Sequence, residues 1–185
     1  MQFYLLKFFL CYVVTVAIFV IEKVLFMLAY PDIYAGVGFS DRLSVITHGL
    51  PMDFSVAGYL TVVPALLVIV RVWNSGRVLK YVETGYYVLI SLLLSAIFVL
   101  DTGLYGYWGF KLDATPLFYF LSSPSAVVGG MTWWQSIGGF LLWVAVAAVI
   151  YLIYRVAVLR LPLSDFRAKR SRVTATAVMS VLALL

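Results

Sequence analysis

Four runs of about 20 mostly apolar residues constrain this chain more than any other feature. A helix rises about 1.5 Å per residue, so about 20 residues carry it across a hydrocarbon core about 30 Å thick. The runs fall at residues 8–30, 54–73, 82–100 and 133–154. Between them little polar surface is left: 64% of the chain is hydrophobic, 11% is charged, and the mean hydropathy is +1.06. A soluble domain carries about 25% charged residues. Soluble enzymes, nucleic-acid binders and disordered chains are therefore excluded. The expected fold is an all-α integral membrane bundle.

Details of the runs sharpen this expectation. Lys7 precedes the first, and no small-x-small cleavage site follows it, so the segment reads as an uncleaved signal anchor. Pro64 lies inside the second and leaves the carbonyl of Leu60 without its helical partner, which predicts a bend. Cys11, the sole cysteine, allows no intrachain disulfide and reads as a small buried hydrophobe. Gly138 and Gly139 in the fourth run suggest a packing notch, behind an interfacial anchor at Trp133 and Trp134. A fifth stretch, residues 173–185, is apolar but covers only about 20 Å at the helical rise. It is expected to be a fifth span cut short.

Charge orients the spans. Asp32, Asp41 and Asp53 outweigh Arg42 in the first connection, whereas Arg71, Arg77 and Lys80 outweigh Glu83 in the second. Asp101 and Asp113 outweigh Lys111 in the third, and six basic residues face Asp165 in the fourth. Signs alternate at each crossing, and Lys and Arg concentrate on cytoplasmic loops. The N-terminus is thus expected inside the plasma membrane, with residues 31–53 and 101–132 outside and the fifth helix running outward.

The outer connections are long, and long connections are often functional. In the first, Asp53 stands before the second run and is expected to cap its helix. His48, the only histidine, has no spaced partner and is a weak metal ligand. In the second, Gly103, Gly106 and Gly109 recur every third residue, so a helical continuation gathers them on one side for close packing. Tyr107 and Trp108 fit an interfacial belt or a platform for a lipid head group, with Lys111 supplying charge. Thr115-Pro116 and Ser123-Pro124 each read as the start of a short interfacial helix, with threonine capping the first. Glu22 and Lys23 lie at depth in the first span, about 100° apart, and do not pair with each other. Snorkelling and a contact with another helix both remain open for them. No phosphate loop, spaced Cys/His set, nucleophile arrangement or paired carboxylate is present, so no catalytic residue, metal ligand or cofactor is expected within these residues.

Two strings resemble a known family: His48-Gly49-Leu50-Pro51-Met52-Asp53-Phe54-Ser55-Val56-Ala57-Gly58-Tyr59 and Tyr107-Trp108-Gly109-Phe110-Lys111-Leu112-Asp113-Ala114-Thr115-Pro116-Leu117-Phe118-Tyr119. They resemble the membrane domain of the lipoteichoic acid synthase-like family, especially Bacteroidota members described as sulfatases. The resemblance implies five membrane helices followed by an extracytoplasmic domain of the alkaline phosphatase and sulfatase superfamily. Such a domain uses a threonine nucleophile and a divalent metal on phospho- or sulfo-esters, and neither can be carried onto this chain. It also implies a phospholipid or lipid-linked substrate. Arg42 and Lys111 are then the expected phosphate contacts, within a polar cluster of His48, Asp53, Lys111 and Asp113. A self-contained membrane scaffold without catalysis is the alternative.

Overall fold

The computed structural model describes residues 2–73, 76–109, 111–123, 132–161 and 169–184, and the regular structure in them is entirely helical. The elements are α1 (Gln2–Ala29), a 3-10 turn (Pro31–Tyr34), α2 (Phe39–Trp73), α3 (Arg77–Trp108), α4 (Ala114–Ser122), α5 (Trp133–Tyr154) with a π-turn (Arg155–Leu159), and α6 (Lys169–Leu184). Among the described residues four helices, α1, α2, α3 and α5, are long and apolar enough to cross a membrane. With 16 residues, α6 falls short of the length a crossing needs.

The distribution of side chains is inverted relative to a water-soluble protein. Lys7, Thr15, Asp53, Thr61, Glu83, Ser91 and Ser95 are buried, while Phe9, Leu28, Tyr59 and Leu141 are each more than half exposed. Such a surface is stable only against lipid, where each buried polar group must find its partner within the protein. This is a multi-pass membrane protein.

The helices overrun the apolar runs. α2 begins at Phe39, so most of the expected first outer connection is helix, and 35 residues give it a length of about 52 Å. Gly36, at a φ of 84°, makes the turn that frees the chain to start again. Asp41 then sits favourably in the first helical turn. Ser40, Ser44 and Pro51 supply backbone carbonyls that accept from Ser44, Thr47, His48 and Ser55 side chains. Those groups would otherwise have favoured loop. α3 likewise continues to Trp108 and stops where Gly109, at a φ of 73°, donates its N–H to the Tyr105 carbonyl at 2.9 Å.

The chain divides into two compact units, Met1–Tyr87 with Leu152–Leu185, and Val88–Tyr151. In the first, α1 packs on α2, α2 on α6, and the π-turn on α1. Its apolar core joins Tyr4 of α1 to Ala65, Val68 and Val72 of α2 and to Ala175 and Met179 of α6. The Leu60 carbonyl released by Pro64 accepts the hydroxyl of Tyr86 on α3, so the group exposed by the proline is satisfied across helices. In the second unit, the Trp143 indole N–H and the Ser95 hydroxyl both donate to the Leu92 carbonyl. Ile90, Leu94, Ala147 and Ile150 are buried there.

Candidate functional site

The His48–Asp53 string forms one and a half turns in the middle of α2, and this changes the role of Asp53. It lies far from the helix start at Phe39 and caps nothing; the expected capping role is corrected. Instead its Oδ2 accepts from the ammonium of Lys23 on α1, with side chains 11% and 22% exposed. The expected pairing problem at Glu22-Lys23 is thereby half resolved, since Lys23 reaches another helix. Gly49 stands one turn before Asp53, and a Cβ there would collide with the Lys23 ammonium. A lysine on α1 passes over the bare backbone of Gly49 to reach the carboxylate behind it.

Other residues of that region close the local structure. Arg42 donates to the carbonyls of Tyr34 at 2.8 Å and Val37 at 3.2 Å, tying the 3-10 turn to α2. His48 is exposed, with Nδ1 2.7 Å from the Ser44 carbonyl. A carbonyl only accepts, so Nδ1 is the donor in this contact. Among the described residues no group of three His, Cys, Asp or Glu side chains is placed to hold a metal.

At the opposite end of the same unit lies a cluster that sequence reasoning divided among flanking charges. Lys7 and Glu83 form an ion pair with side chains only 3% and 7% exposed. The second oxygen of Glu83 accepts from Arg71 Nη1 at 3.2 Å. Three helices are thus joined at one carboxylate. Towards the middle of the unit, Cys11, Thr15 and Thr61 are buried together with Tyr87 and Tyr154. Thr15 spends its single proton on the Cys11 carbonyl at 2.7 Å, so the Tyr154 hydroxyl, 2.9 Å away, donates to Thr15. The available signal was spacing: Lys7, Cys11 and Thr15 recur every four residues, one stripe through the otherwise apolar stretch between Phe3 and Ile21 of α1.

The remaining candidates belong to the second unit. Asp101 accepts the Leu112 N–H at 2.6 Å, and the Lys111 ammonium lies 3.6 Å from its other oxygen with a side chain 59% exposed. Asp113, and not Thr115, caps α4: its Oδ1 takes the Thr115 N–H at 2.8 Å and its Oδ2 the Thr115 hydroxyl at 3.0 Å. Tyr107 and Trp108 form the end of α3, and their side chains lie outside the described part of the structure. The helix expected at Ser123-Pro124 falls on residues 124–131, also outside it. Among the described residues no neighbour lies within 4 Å of a Cβ built at Gly103, Gly109, Gly138 or Gly139, so these four glycines face open space there. His48, Asp53 and Arg42 sit in one unit, Lys111 and Asp113 in the other, and each set has its own partners.

A scan against protein-family models returns no match, and searches of the curated proteins and of the solved structures also return none.

Proposed function

We propose that this chain is the membrane module of an enzyme of the lipoteichoic acid synthase-like or sulfatase-like kind, acting on phospho- or sulfo-esters outside the cytoplasm. The module holds the catalytic domain at the plasma membrane and presents a lipid-linked substrate at the end of the bundle that carries Lys23 and Asp53. The observation that carries this reading is the place of the acid in the ion pair: Asp53, which accepts from Lys23, falls inside the His48–Tyr59 string that resembles the family. An intramembrane charge pair within reach of the interface suits a polar head group, and a lysine is a point charge for phosphate. Lys111, exposed, is the second cation in this reading, and Arg42, committed to two carbonyls, is the weaker contact. The divalent metal belongs to the catalytic domain and not to this chain.

Orientation and activity are tested separately. With Cys11 replaced by serine, single cysteines at Ser44 and Ser123 should react with an impermeant thiol reagent in intact cells, and one at Ser75 should not. The 185 residues alone should show no phosphodiesterase, phosphatase or sulfatase turnover with any divalent metal. The tagged protein isolated from its source cells should show one of them. In that enzyme Asp53→Asn should lower turnover without lowering membrane abundance. Metal-dependent turnover by the isolated chain, or a tagged protein lacking all three activities, would overturn the reading.

A further inference from the structure

Pro64 divides α2 into two parts that are held differently. After it, Ala65, Val68 and Val72 share one apolar core with Tyr4 of α1 and with Ala175 and Met179 of α6, so this part is gripped from two sides. Arg71 in the same part shares Glu83 with Lys7, which fixes the start of α3 to the same block. Before the proline the buried positions Ala57 and Thr61 are small, while Met52 and Tyr59 are more than two-thirds exposed. There α2 meets α1 through the Lys23–Asp53 pair and through Tyr12 stacked on Phe54, with ring centroids 6.4 Å apart.

Between the two parts the helical ladder has a gap, because proline withholds the N–H that the Leu60 carbonyl would accept. A side chain from another helix fills it, the hydroxyl of Tyr86. Tyr86 follows Glu83 by three residues on α3, and its ring stands edge-on to buried Tyr87 at 5.7 Å. The donor therefore belongs to the block that grips the far part of α2, and the acceptor belongs to the freer part.

We propose that Tyr86 is a latch on a hinge at Pro64. While its hydroxyl holds the Leu60 carbonyl, the part of α2 before the proline stays against α1. When the hydroxyl lets go, that part swings and the Lys23–Asp53 pair opens. Asp53 precedes Pro64 by 11 residues. At the helical rise that is a lever of about 16 Å, so a kink of about 20° at the proline moves the carboxylate about 6 Å. That is farther than an ion pair spans, and the latch thus sets how readily Lys23 is released. The device holds whether or not the module belongs to an esterase.

The test is the distance between pairs of spin labels, measured by double electron–electron resonance on the purified protein in lipid nanodiscs, with Cys11 replaced by serine. Labels at Leu28 and Met52, both exposed, place the part of α2 before the proline against α1. Labels at Phe9 and Val70, also exposed, place the part after it. Tyr86→Phe removes only the donor and should raise the longer-distance population of the first pair about fivefold, the factor lost with one ordinary hydrogen bond. The second pair should not change, which also shows that the variant is folded. Pro64→Ala returns a backbone N–H to the Leu60 carbonyl, so adding Tyr86→Phe to it should leave the first pair as it was. An unchanged first pair in Tyr86→Phe, equal changes in both pairs, or the same change with and without Pro64 would each overturn the proposal.

Discussion

The two charged contacts of the first unit differ in depth and in stoichiometry. Lys7 and Glu83 form an enclosed pair to which the part-exposed Arg71 adds a second cation, whereas Lys23 and Asp53 form a balanced pair that is partly open. Buried ion pairs add little net stability over apolar residues of like volume, but removing one partner is severe because the other is left charged in a low-dielectric interior. The first cluster therefore fixes where three helices meet. The second is open at Lys23 and depends on a glycine for its approach, so its loss leaves the lysine a route to the interface.

The largest effect should come from Glu83→Ala. It strands Lys7, almost wholly enclosed, together with Arg71, and should cost about 3–5 kcal/mol of unfolding free energy. Asp53→Ala should cost distinctly less, because Lys23 can turn toward the interface. Denaturant unfolding in mixed micelles measures both. Equal losses would erase the distinction between a fixed and a rearrangeable contact.

What the sequence makes legible follows from this contrast. Four crossings can be read because the bilayer demands about 20 apolar residues each, a requirement local enough to count along the chain. Pro64 announced the free carbonyl of Leu60 for the same reason, since the missing donor is a property of proline itself. The acceptor's rescue by Tyr86 was hidden, because it depends on which face of α3 meets α2. Asp53 looked like a cap because an acid before an apolar run usually is one. Its actual partner, 30 residues away, is set by how α1 and α2 align. Lys7 and Glu83 were counted as flanking charges, and only tertiary packing brings them together. The start of α4 was read within two residues, with the capping role passing from Thr115 to Asp113.

A double-mutant cycle with Lys23→Met and Asp53→Asn sharpens the comparison further. Its coupling should be about 1 kcal/mol, since the pair is only partly desolvated and part of its Coulomb energy is screened. Raising the salt from about 0.05 M to about 1 M, where the Debye length falls to about 3 Å, should reduce this coupling markedly. The stability difference between wild type and Glu83→Ala should hardly respond to the same change. A salt-independent Lys23–Asp53 coupling would mean that the pair is as enclosed as the first cluster.

The smallest effect, and the most specific, concerns Gly49. Two consequences of Gly49→Ala oppose each other. Alanine favours the interior of a helix over glycine by about 0.8–1 kcal/mol. The added methyl also occupies the place of the Lys23 ammonium, which must retreat and lengthen its contact with Asp53. In the wild-type background the two nearly cancel, so the unfolding midpoint should scarcely move. In a Lys23→Ala background nothing stands over Gly49, and the same substitution should stabilise by about 0.5–1 kcal/mol through propensity alone. The sign and size of that difference report whether Lys23 lies across Gly49 in the membrane-embedded protein. Identical effects in both backgrounds would place the lysine elsewhere, and would leave Asp53 a buried acid in need of another partner.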